Sequence, residues 1–231
     1  MTGKADTVSD FTVSVIGCGG IGSWLLHGLA RPAGRFAESN NVRVTIRVYD
    51  SDKVEEANVL HQNFRPSDVG KAKVDAVCEE LADFQGEHLR IVPCAWDVGG
   101  DDNIEHSHLA VVAVDTPAAR AYVISSDKIG SWAICTCAGD SSLFLTDEAS
   151  QDSISRVTQP TQAPASCQLP GAISEGKIEA GHMAVAVVAQ TWILRSLRRM
   201  SGEAGASLPA PRADSTVLGT LGSVEPSDEE E

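Results

Sequence analysis

Gly17-Cys18-Gly19-Gly20-Ile21-Gly22 stands between an apolar run, Phe11–Ile16, and a segment with Ile21, Trp24, Leu25 and Leu29 on one helical face. A chain passing from strand to helix through glycines at this spacing turns tightly and packs its helix close to the strand. It also leaves backbone N–H groups at a helix N-terminus, where phosphate binds. The feature predicts a strand–turn–helix unit of a parallel sheet with a nucleotide as its ligand. The glycines alone leave two nucleotides open: a dinucleotide held for hydride transfer, or a triphosphate that is cleaved.

The rest of the chain repeats the pattern. In NVRVTIRVYD, Val42, Val44, Ile46 and Val48 alternate with Arg43, Thr45, Arg47 and Tyr49, predicting a strand that ends at Asp50. An Asp-Val-Gly entry followed by Val74, Val77, Cys78, Leu81 and Phe84 on one face predicts a second helix from Ser67, with Lys71 and Lys73 in its first turn. HLRIVPCAW reads as a third strand. HLAVVAVD is a continuous apolar run ending at Asp115, as expected of a parallel strand covered on both faces, and Thr116-Pro117 starts the next helix. SWAICTCA and SLFLT supply later strands, with Cys135 and Cys137 on one face as buried core. The polar, proline-bearing stretch 146–170 reads as a long surface connection, and a last helix covers about Glu175 to Met200.

The fold class that follows is α/β: a Rossmann-like, doubly wound, mostly parallel sheet with helices on both faces. Residues 1–200 form one domain, and 201–231, which lacks apolar material, is expected to be a disordered acidic tail. The 231 residues are 42% apolar, enough for one full core. The formal charge is −14, and although EPSDEEE at the end carries five of the acids, the body is acidic too, which argues against nucleic acid as a partner. The start lacks an apolar signal core and MAVAVVAQTWIL is too short to span a bilayer, so no membrane association and a cytoplasmic location are expected. Six cysteines without any C-x-x-C pair predict reduced thiols and no zinc.

In such a sheet, ligands bind beyond the carboxyl ends of the strands, which brings the glycine turn, Asp50 and Asp115 to one edge. A carboxylate at the end of the second strand can accept both ribose hydroxyls. Lysines in a first helical turn are disfavoured by the macrodipole, by ~0.3–1 kcal/mol each. A bound polyphosphate would reverse that; so would pairing of Lys71 and Lys73 with Asp68 and Asp75, and spacing alone leaves both open.

Taken in order, these motifs resemble the adenylation domain of the ThiF/MoeB/HesA group, related to ubiquitin-activating enzymes. The matching residues are Gly17, Gly19, Gly20 and Gly22 of the turn; Asp50 and Asp52; Asn58-Val59-Leu60-His61-Gln62; Asp68-Val69-Gly70 with Lys73; and Asp115 with Arg120. The resemblance covers about residues 11–140 and extends more weakly through GHMAVAVVAQTWIL. It implies an enzyme that uses ATP and Mg²⁺ to activate a carboxylate as an acyl-adenylate with release of pyrophosphate. The implied substrate is the C-terminal glycine of a small ubiquitin-like protein or a peptide, and the implied assembly is a homodimer.

The resemblance also implies roles. Asp50 would bind the ribose, Asn58 and Lys73 the phosphates, and Asp115 the Mg²⁺. Where the family places a phosphate-binding arginine this chain has His61, and Arg65, four residues on, is expected to reach the same phosphates. Cys167, in TQAPASCQLPGAI, is the candidate to receive the activated acyl group, beside the plainer reading of a packed loop cysteine. Two other functions compete: an NAD-dependent oxidoreductase, which leaves the block from Asn58 to Lys73 idle, and a non-catalytic binding subunit of the same family.

Overall fold

The computed structural model describes residues 9–99, 104–159, 167–203 and 205–215. Its frame is a seven-stranded sheet in the order β3-β2-β1-β4-β5-β6-β7. Strand β1 (Asp10–Ile16) runs centrally between β2 (Arg43–Tyr49) and β4 (Ser107–Val112), with Val13 opposite both Ile46 and Leu109. Strand β3 (Leu89–Cys94) lies beyond β2 and β5 (Ile129–Ala138) beyond β4, all parallel. Strands β6 (Ser141–Thr146) and β7 (Arg212–Ser215) continue the sheet antiparallel.

Strand alternation divides the core into two layers. Val13, Val15, Val44, Ile46, Val111 and Cys135 face α1 (Gly20–Ser39), α3 (Lys73–Glu80) and α6 (Gly181–Met200). Ile16, Tyr49, Val112 and Ile134 face the other way, toward Val123 of α4 (Pro117–Ser125) and Ile154 and Val157 of α5 (Gln151–Thr158). Helices therefore cover both faces, as a doubly wound sheet requires. Leu25, Leu26, Leu29 and Trp192 are fully buried between α1, α6 and the sheet, each contributing on the order of 1.5–3 kcal/mol from burial alone.

Helices α1 and α6 are fastened at an unusual point. Pro32 lies inside α1 and has no N–H to offer the carbonyl of Gly28, one turn earlier. That carbonyl accepts instead from Gln190 Nε2 of α6 at 2.8 Å. Gly28 makes the approach possible, since a Cβ there would stand 2.5 Å from Gln190 Oε1.

Several elements differ from the sequence reading. The second helix starts at Lys73 rather than Ser67, because Gly70 turns at φ +91° and residues 70–72 pair with 53–54 through Gly70 N–H to Val54 O, Val54 N–H to Lys71 O and a Lys53–Ala72 bridge. Lys71 thus lies outside the helix. The stretch read as a surface connection contains α5, started by Ser150, whose side chain accepts from Ser153 N–H at 3.2 Å, and anchored by buried Ile154 and Val157. Residues 160–166 of that stretch lie outside the described residues. The last helix begins at Gly181, where a Cβ would stand 2.3 Å from the Gly139 carbonyl; only turns precede it from Glu175. Residues 212–215, within the segment read as tail, add strand β7, because strand pairing uses backbone groups and leaves little mark on composition. Residues 216–231 lie outside the described residues. Among the described residues no helix is long and apolar enough to cross a membrane.

Candidate nucleotide site

The glycines divide into two kinds. Gly17 turns at φ +97°, and a Cβ there would stand 2.8 Å from Val114 Cγ1 and 2.9 Å from the Ala113 carbonyl carbon, so only glycine lets β1 end against the exit of β4. Gly22 is excluded from carrying a side chain by the carbonyl of Gly17, 1.9 Å from its Cβ position. Gly19 differs: its nearest neighbours are the Gln62 amide atoms at 3.9 Å, and it leads into α1 with neither a side-chain cap nor an acid in the first turn. The first-turn N–H groups of α1 therefore open into a cavity of about 530 Å³ beyond the strand ends.

Two acids flank the turn. Asp50, one residue past β2, accepts from Cys18 N–H through Oδ2 at 2.6 Å and from Asp52 N–H through Oδ1 at 2.9 Å. Burial raises its pKa; Lys73 and the two N–H groups oppose that shift. Asp115, past the end of β4, lines the same cavity and is exposed.

Lys73 is 6% exposed and donates from Nζ to Asp52 Oδ2 at 2.7 Å, while its backbone N–H donates to the Asp52 carbonyl at 2.9 Å. The lysine is thus aimed by the ladder that replaces the expected first helical turn. Lys71 pairs elsewhere, with Asp68 and Glu79, so of the two lysines it is Lys73 that lines the cavity. His61 and Gln62 also line it. Burial, helped by Lys73, lowers the pKa of His61, which keeps its imidazole neutral at pH 7. Gln62 Oε1 is buried with no hydrogen-bond partner among the described residues, so a ligand group could satisfy it.

Two expected residues stand apart. Arg65 pairs with Glu80 of α3 at 2.5 Å and is not among the cavity-lining residues, whereas His61 is. Asn58 also lies outside the lining: its Oδ1 accepts from Glu55 N–H at 3.0 Å and caps α2 (Glu56–Val59), a single turn that the sequence reading did not anticipate. Arg120 is inside, 5% exposed, and donates to the carbonyls of Val114 (Nε at 3.3 Å, Nη2 at 3.0 Å) and Val157 (Nη1 at 3.2 Å). It clasps α5 to the backbone beside Asp115. Burial lowers its pKa and Asp115 opposes the shift.

The remaining wall was missed. Arg156 of α5 and Thr136 and Cys137 at the end of β5 line the cavity with Cys167. Ser150 followed by Ile154 and Val157 at helical spacing is the signal that would have revealed α5, and with it Arg156. Cys137 sits near the carboxyl end of a strand parallel to β4, the place where such sheets bind ligands.

The sequence matches the model of the ThiF family over residues 2–216. It is similar to ubiquitin-like modifier-activating enzyme 5 of Arabidopsis thaliana, 35% identical over 80 residues that make up 34% of this chain and 16% of that protein. Among solved structures it is similar to MccB of E. coli in complex with ATP, at 16% identity and a TM-score of 0.54, covering 86% of this chain and 57% of that one. It is likewise similar to selenomethionine PaaA, at 18% identity and a TM-score of 0.53, covering 88% of this chain and 58% of that one. At these identities the likeness is one of fold, and the chain spans less than two thirds of each of these relatives. With the family model matched over nearly its whole length and the glycine turn, strand-end acids and Lys73 assembled around one cavity, the chain belongs to the ThiF family.

Proposed function

We propose that this protein is an ATP-dependent adenylyltransferase that activates a carboxylate as an acyl-adenylate. The observation that carries the reading is the convergence of Asp50, Lys73 and Asp115 on the cavity into which α1 opens. Asp50, pre-oriented by two backbone N–H groups, accepts from the ribose hydroxyls; the N–H groups around Gly19 and Gly20 face the phosphates. Lys73 neutralises charge that builds as the substrate carboxylate attacks the α-phosphorus and the bond to pyrophosphate breaks. The orphan Gln62 Oε1 suits a hydroxyl or amine of the nucleotide.

The exposed carboxylate of Asp115 fits Mg²⁺, which takes one or two protein oxygens and completes its shell with phosphate oxygens and water. Bound there, the ion would neutralise phosphate charge. The relatives' names, ubiquitin-like modifier-activating enzyme 5 and MccB solved with an MccA derivative, support a small ubiquitin-like protein or a peptide as the carboxylate partner. Cys167, beside the cavity, is positioned to take the acyl group from the adenylate with AMP as leaving group. Homodimerisation is part of the same proposal, supported by the exposed apolar side chains of Val187 and Met200 on α6.

ATP–pyrophosphate exchange, run with peptides ending in glycine, tests the reading. Exchange that depends on the peptide and is abolished by Asp115→Ala is the expected result. An oxidoreductase would instead reduce NAD, leaving the Lys73–Asp52 pair without a task; a non-catalytic subunit would bind its partner without exchange.

A further inference from the structure

Two thiols meet inside the cavity above the glycine turn. Cys137 is 7% exposed and Cys167 half-buried; both line the cavity, and each thiol acts on the other's titration. The backbone fixes them together, since Gly139, two residues past Cys137, donates its N–H to the Cys167 carbonyl at 3.2 Å. The Cys167 sulfur also stands 3.1 Å from where a Cβ on Gly20, at the start of α1, would be.

The two thiols are chemically unlike. Interaction with Cys137 and with the Ile21 N–H lowers the Cys167 pKa, against burial and the Asp115 carboxylate. Cys137 is pushed up by its interaction with Cys167 and by burial. Burial likewise raises Cys18, Cys78, Cys94 and Cys135. A thiol with a lowered pKa therefore lines the same cavity as a second thiol able to resolve it, with their backbones joined through Gly139, an arrangement typical of redox-sensitive cysteines.

We propose that Cys137 and Cys167 form a dithiol that a hydroperoxide closes to a disulfide directly above Gly20. The Cys167 thiolate attacks the terminal peroxide oxygen, the O–O bond breaks, and Cys167 becomes a sulfenic acid while the leaving hydroxide takes a proton. The Cys137 sulfur then attacks the sulfenic sulfur, the S–O bond breaks, and water leaves with the Cys137 proton. Two thiols and one hydrogen peroxide give one disulfide and two waters. The oxidised pair occupies the approach to the first-turn N–H groups of α1, and it withdraws Cys167 from acyl transfer.

Peptide mapping of the full chain tests this without any nucleotide assay. The reduced protein is treated with hydrogen peroxide, unfolded in iodoacetamide and digested without reductant, and fragment ions distinguish Cys137 from Cys135. Expected is near-complete linkage of the Cys137 and Cys167 peptides, lighter by two hydrogens than their sum and reversed by dithiothreitol, with Cys18 and Cys135 recovered alkylated. In Cys137→Ser, Cys167 is expected to progress to sulfinic acid instead. Wild-type protein in which Cys167 reaches sulfinic acid while Cys137 is recovered alkylated, or in which Cys167 is linked to any other cysteine, overturns the proposal.

Discussion

Lys73 and Asp52 are joined twice, by the 2.7 Å bond from Nζ to Oδ2 and by the 2.9 Å bond from the Lys73 N–H to the Asp52 carbonyl. The backbone bond survives substitution of the side chain, so Lys73→Ala removes a charge without loosening the loop that carries it. A charge-assisted hydrogen bond is worth about 1.5–3 kcal/mol. ATP affinity of Lys73→Ala, measured by titration calorimetry, is expected to fall about tenfold to a hundredfold, with little change in melting temperature.

The glycines of the turn are expected to separate by phenotype. Gly22→Ala drives a methyl group onto the Gly17 carbonyl and should destabilise the fold by about 1–3 kcal/mol or more, read by chemical denaturation. Gly19 has open space around its Cβ position, so Gly19→Ala should cost less stability than Gly22→Ala and still fold. Its methyl group would intrude where phosphate is expected, so the same variant should lose nucleotide binding.

Arg65→Ala should leave ATP affinity within about fivefold of wild type, because the guanidinium is 62% exposed and held by Glu80. His61→Ala, which removes a side chain that lines the cavity and contacts Gln62, should cost more. Equilibrium binding of the two variants side by side checks the order, which is the reverse of the one the sequence suggests.

Stability should fall on mild acidification. His182 is fully buried, and burial with His61 nearby lowers its pKa; His61 shifts the same way. Unfolded histidines take up protons near pH 6.5, which the folded sites resist, so the unfolded state binds more protons. The stabilisation from these neutral rings is complete above about pH 6.5 and is lost as pH falls toward the lowered folded values. Denaturation midpoints measured between pH 7 and pH 5 should drop, each site contributing up to about 1.4 kcal/mol per pH unit, and His182→Gln should flatten the profile.

Gln190 and Pro32 should be coupled although neither touches the cavity. Gln190→Ala leaves the Gly28 carbonyl without its donor and is expected to cost about 1–3 kcal/mol. In a Pro32→Ala background the helix supplies its own N–H, and the cost should shrink. A double-mutant cycle by denaturation should give an interaction energy of at least about 0.5 kcal/mol.

Much of this was legible because it rests on local rules. The glycine spacing, the alternation from Val42 to Val48 and the apolar run before Asp115 each fix an element and its end, and the strand ends assemble Asp50 and Asp115 beside the glycine turn. The misses involve partners distant in sequence or signals weaker than composition. Arg65 is four residues from His61, yet Glu80 takes it, a choice made by the turn at Gly70 rather than by spacing. Ser150, Ile154 and Val157 spell a helix inside a stretch whose prolines and polar residues read as connection. Cys137 was assigned to the core on strand alternation, correctly for its burial, but the pairing with Cys167 depends on how the chain returns across β5.

The bond between Gln190 and Gly28 closes a span of 162 residues, which sets the order in which this chain can mature. During synthesis the glycine turn and α1 emerge well before α6, and the Gln190 donor reaches the Gly28 carbonyl only after Gly181–Met200 has left the ribosome. Contacts between segments this far apart form late and slow folding. Until then the nascent protein carries its glycine turn on a helix packed against β2, β3 and α3, without the fastening that α6 supplies.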